Sequence, residues 1–82
     1  MAKLIKANGV SQDDYPITNL KSMQDAVGGY IEPLYTSQVV ILVNEEGLLQ
    51  NLPLNIECSA MAGQPLVGDC LVLTHKEWAS IN

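Results

Sequence analysis

The chain has 82 residues, 48% of them hydrophobic and 16% charged, which suits one domain with a single core and excludes a wholly disordered protein. Four lysines and no arginine face nine acidic residues, for a net charge of -5 and a pI near 4.4. Such a surface excludes phosphate-directed nucleic-acid binding as an expectation and serves instead a basic partner or plain solubility.

Lys3 to Ala7 sets lysines beside Leu4 and Ile5 and reads as a short strand, closed by an Asn8-Gly9 turn. Ser11-Gln12-Asp13-Asp14 reads as polar loop. Tyr15 to Thr18 resumes an extended course in which Pro16 permits at most an edge strand. Thr18 or Asn19 caps a helix that starts at Leu20, because a short polar side chain there accepts from the first-turn amides. Leu20, Met23 and Val27 share its apolar face. Gly28 fits the positive-φ residue that ends a helix, and Gly29 lets the chain turn closely against its neighbours.

Tyr30 to Thr36 is predicted as a strand interrupted by Pro33. The β-branched run Val39 to Val43 is predicted as the central strand, with both faces covered. Asn44-Glu45-Glu46-Gly47 has the form of a turn, from which Leu48 to Leu54 is predicted to return antiparallel as a hairpin. Asn55 caps a second short helix over Ile56–Ala62, with Gly63 ending it. A loop leads to the strand Cys70 to Thr74, and His75 to Asn82 reads as a helical turn or a tail. The expected fold is a single α+β domain over residues 1–82, with a mixed, mainly antiparallel sheet of four or five strands and two short helices.

Met1 to Lys6 is too short and too charged for a signal peptide, and Val39 to Val43, the longest clear apolar run, is far below membrane-spanning length. Cys58 and Cys70 have apolar neighbours and read as free, buried thiols of a reducing compartment. A cytoplasmic protein with no membrane association is expected.

Leu20, Met23, Gln24 and the run Val27-Gly28-Gly29-Tyr30-Ile31-Glu32 are followed in order by Val43-Asn44-Glu45 with Gly47, by Leu52-Pro53-Leu54-Asn55, and by Val67-Gly68-Asp69. Across roughly residues 18–74 these blocks resemble the family of small proteins known as DUF3846, a domain of unknown function. The resemblance implies an origin in a bacteriophage, a mobile element or its bacterial host, the host cytoplasm as the place of action, and no assigned reaction.

No catalytic constellation is legible. His75, Cys58 and Cys70 are too few and too irregularly spaced for a structural zinc site within one subunit, and no third group is evident to orient Cys70 and His75 as nucleophile and base. Asp13-Asp14 and Glu45-Glu46 lack the alternating ligand spacing of a calcium loop and read as solvated turns. No metal and no cofactor is expected. Gln24, Gly28, Gly29, Tyr30 and Asn55 are the candidate binding residues, with hydrogen bonding inside the fold as the plainer role for Gln24 and Asn55. Trp78 reads as sealing a core edge or a subunit contact.

These readings favour a small acidic non-catalytic binding protein that acts on a host protein through its surface, an accessory protein of a phage or mobile element, with self-association expected because so little helix is available to cover both sheet faces. The alternative is a protein that sequesters a small nucleotide or metabolite, contacting it through backbone amides near Asn55 or at the Gly28-Gly29 turn. A mimic of DNA would need its carboxylates in an ordered row, which the scatter of acidic residues does not supply.

Overall fold

The computed structural model describes residues 2–81; Met1 and Asn82, at the ends of the signal-peptide and tail readings, lie outside them. Strands β1 (Ala2–Ile5), β2 (Ser11–Tyr15), β3 (Ile31–Tyr35), β4 (Val39–Asn44) and β5 (Cys70–Thr74) form one sheet in the order β2-β1-β5-β4-β3. Helices α1 (Leu20–Val27), α2 (Ile56–Ala62) and α3 (His75–Ile81) pack on it. The fold is α+β as expected, but among the described residues every strand pairing is antiparallel and there are three helices where two were predicted.

The third helix carries a sequence signal in Thr74-His75-Lys76-Glu77. Thr74 Oγ1 accepts from the Glu77 amide at 3.0 Å, and Glu77 Oε1 accepts from the Thr74 amide at 2.8 Å. This reciprocal capping box satisfies donors that a helix start otherwise leaves open.

Strand β1 runs back into β2 through the Asn8-Gly9 turn, where Gly9 has φ +94° and the Lys6 amide donates to Val10 O at 2.8 Å. Residues 11–14, predicted as loop, are therefore an edge strand. Their polarity marks an edge: Ser11, Gln12, Asp13 and Asp14 are all exposed, and charge on an edge discourages pairing with another chain.

The predicted hairpin of β4 with residues 48–54 does not form. The hairpin partner of β4 is β3, joined to it through residues 36–38, and Tyr35 pairs with Val40, while β5 pairs along the other side of β4. After Gly47 the chain coils instead: the Gln50 amide donates to Glu46 O at 3.0 Å and the Asn51 amide to Leu48 O at 3.2 Å. The run Leu48 to Leu54 holds no β-branched or aromatic residue and ends near Pro53, so tight turns compete successfully with a strand. Only Leu54 makes a bridge, to Val67. The middle of the sheet is consequently β5, with β4 beside it.

Both faces of the interior strands are covered. Ala2, Leu4, Val40, Leu42, Leu71 and Leu73 meet Met23, Ala26 and Val27 of α1, with Trp78 and Ile81 of α3 alongside. On the opposite face Ile5, Ile41, Val43, Cys70 and Val72 meet Cys58 of α2 and Leu66. The apolar face of α1 is thus shifted from expectation, because Leu20 overhangs the helix start, 53% exposed, and Ala26 takes the inward position. The bare sheet face from which self-association was expected is not found among the described residues.

Candidate functional site

The blocks that carry the family resemblance come together at one end of the sheet, around two buried asparagines. Asn44, the last residue of β4, is 5% exposed. Its Nδ2 donates to Val27 O at the end of α1 (3.2 Å) and to Gln50 Oε1 (3.3 Å), while Oδ1 accepts from the Glu46 amide (2.8 Å). One side chain therefore ties a helix end, a strand end and the following turn together.

Gly28 ends α1 at φ +79° with open space where a side chain would project, so its requirement is conformational. Gly29 differs. A Cβ there would lie 2.9 Å from Asn44 Nδ2, so the residue is small because the asparagine occupies the space.

Asn55 is the second hub, 1% exposed. Its Oδ1 caps α2 by accepting from the Cys58 amide at 3.1 Å, and its Nδ2 donates to Ile5 O at 2.8 Å and Gly68 O at 3.0 Å. All its capacity for strong bonds serves the fold, and its amide group faces no solvent.

The other predicted binding residues do gather. Gln24, Gly28, Gly29 and Tyr30, with Asp25 and Glu46, line an open depression of about 540 Å³. Tyr30 is 68% exposed. The amides of Gly28 and Gly29, however, both donate to Gln24 O, at 2.8 and 3.1 Å. They are not available to an anion, and Asp25 and Glu46 add negative charge where an anion would sit.

Beside this hub, on the sheet face that carries α2, lies a groove of about 410 Å³. Leu34, Val43 and Leu66 form its floor; Leu48, Leu49, Pro65 and Val67 form its walls. Leu48 and Leu49 are 80% and 81% exposed. They are displayed on a turn held at both ends, with the Gly47 amide on Asn44 O at 3.1 Å and the Leu52 amide on Gly47 O at 3.0 Å. Glu32 and Glu45 stand on the rim, and no lysine lines the groove. Sequence reasoning passed over Leu48 and Leu49 because it placed them in a strand.

The soft nucleophiles lie elsewhere. Cys58 and Cys70 are free and fully buried. A hydrogen bond with Cys58 and burial push the Cys70 thiol well above the ordinary thiol range, so it stays protonated at neutral pH. His75 sits past the far end of β5, where its Nε2 lies 2.7 Å from Thr36 O and its ring stacks on Tyr35. Trp78 Nε1 donates to the Tyr35 hydroxyl at 3.1 Å, which fastens α3 to the β3–β4 hairpin. Trp78 thus closes a core edge. Among the described residues no group of His, Cys, Asp and Glu is arranged to hold a metal ion, and no helix is long and apolar enough to cross a membrane.

The model of the DUF3846 family, described as a domain of unknown function, matches residues 5–82. No curated protein and no solved structure matches the chain.

Proposed function

We propose that this chain, which belongs to the DUF3846 family, is a non-catalytic binding protein that engages a protein partner through the groove walled by Leu48 and Leu49. The observation that carries this reading is the display of two adjacent leucines, each more than three-quarters exposed, on a turn pinned by backbone hydrogen bonds. Leaving a leucine side chain in water forgoes roughly 1.5–3 kcal/mol of burial. A rigid turn that does so twice presents an anchor already in its bound shape, which lowers the ordering cost of association.

The positions of the candidate reactive groups support the non-catalytic half of the reading. The two thiols are sealed in the core and the imidazole is engaged with a backbone carbonyl at the other end of the sheet, so neither the thiols nor the imidazole is presented in the groove. The second reading, sequestration of a small nucleotide or metabolite, loses one of its two anchors with the commitment of the Gly28 and Gly29 amides to Gln24 O. An accessory role in a phage or mobile element, acting on a host protein in the cytoplasm, belongs to the same proposal and draws its support from the family resemblance.

The test is affinity capture from lysate of the cells that carry the gene, with wild type and a Leu48→Ser/Leu49→Ser variant compared side by side. A protein held by the wild type and lost by the variant, with the variant's circular dichroism and melting unchanged, is the expected result. Identical captured sets would overturn the groove as the site.

A further inference from the structure

We infer that the partner of this groove presents a basic amphipathic helix, its apolar side chains seated between Leu48-Leu49 and Pro65-Val67 and its lysines or arginines placed against the acidic rim. The inference rests on the groove reading above and adds the chemistry of the occupant.

Charge decides the first part. Glu32 and Glu45 line the groove and Glu46 follows on the same turn; all three are exposed. None has a cationic partner among the described residues, where the ion pairs are Lys3 with Glu57 and Lys21 with Asp25. The chain's lysines sit at positions 3, 6, 21 and 76, none of them in the lining. An apolar floor with a rim of one sign attracts the opposite charge and penalises a like-charged partner. A second copy of this chain would bring an equally acidic groove and a further net charge of -5. Anionic membrane surfaces and nucleic acid are disfavoured for the same reason.

Backbone geometry decides the second part. The Thr36 amide on Val39 O and the Glu45 amide on Tyr30 O place even-numbered residues of β3 in the bonded positions, so Ile31, Pro33 and Tyr35 turn their backbone groups to the open edge. Pro33, in the middle of that edge, has no N–H to offer. Addition of a partner strand along β3 would lose its central donor. The partner must then be read by side chains in the groove, and a volume of about 410 Å³ holds a few aliphatic side chains of the kind that a helix projects from one face.

The experiment is a titration of the ¹⁵N-labelled full chain, followed by amide chemical shifts, with a synthetic peptide of leucine and lysine at helical amphipathic spacing. A peptide with glutamate in place of lysine and a scrambled leucine–lysine peptide serve as comparisons. The expected result is saturable shifts concentrated at residues 32, 34, 43–49, 64, 66 and 67 for the amphipathic lysine peptide alone. Affinity should fall about tenfold or more in Leu48→Ser/Leu49→Ser, and Glu32→Gln/Glu45→Gln should weaken binding and flatten its salt dependence. Equal binding of the glutamate or the scrambled peptide, or shifts that bypass the groove, would overturn the inference. Should the capture experiment still yield a partner that depends on Leu48 and Leu49, the groove reading survives that outcome; should capture also show no dependence, both fall.

Discussion

Asn44 and Gly29 form a pair in which each explains the other, and the energetic consequence is a coupling. Gly29→Ala places a methyl group 2.9 Å from Asn44 Nδ2, which must displace an amide holding Val27 O and the Glu46 turn; a loss of about 1–3 kcal/mol is expected from the buried groups left unpaired. In an Asn44→Ala background the same substitution should cost much less, and a double-mutant cycle by urea denaturation measures the difference. Gly28→Val should cost more than about 1 kcal/mol for a different reason, its positive φ, and should show no such coupling. Asn55→Ala removes a cap and two buried donors together and should cost about 2–4 kcal/mol. Asn55→Asp keeps the cap acceptor but sets a carboxylate against the carbonyl oxygens of Ile5 and Gly68. That environment favours the protonated acid and raises its folded-state pKa, so the deficit against wild type should shrink as pH falls from 7 to 4, as thermal melts at each pH would show.

At the scale of elements, the two edges of the sheet carry features that discourage strand pairing with another chain. Strand β2 carries Asp13 and Asp14, and β3 carries Pro33 at an outward-facing position. Pro33→Val restores the missing donor and adds a β-branched residue to an open edge, so the variant should self-associate where wild type does so less, with sedimentation velocity at matched concentration as the measurement. The elements were legible in the sequence wherever local chemistry agreed with burial. Helix α1 was bounded by Asn19 and Gly28, α2 by Asn55 and Gly63, and the run 39–43 announced a covered strand. What escaped was non-local. The polar residues 11–14 are a strand only because β1 lies beside them, and residues 48–54 are turns because β3, not they, occupies the flank of β4. Of the candidate site, the gathering of Gln24, Gly28, Gly29 and Tyr30 followed from their adjacency at a helix end, whereas the groove depends on segments near residues 33, 48 and 66 that meet only in the folded sheet.

For the molecule as a whole, the net charge of -5 and the exposed leucines act against each other. Near neutral pH mutual repulsion opposes association of copies; near the pI of about 4.4 that opposition vanishes, which favours association through Leu48 and Leu49. Wild type should therefore show a sharp solubility minimum there, and Leu48→Ser/Leu49→Ser, with the same charges, a shallower one, read by turbidity across a pH series. The strand order carries a further consequence, for the life of the chain before it is folded. Strand β5, which follows both hairpins in sequence, is inserted between the β1–β2 and β3–β4 hairpins and, among the described residues, is the strand that pairs with both. A ribosome delivers the two hairpins before the strand that pairs with both. Synthesis arrested before Cys70 should leave a nascent chain more sensitive to protease than one released with β5 in place.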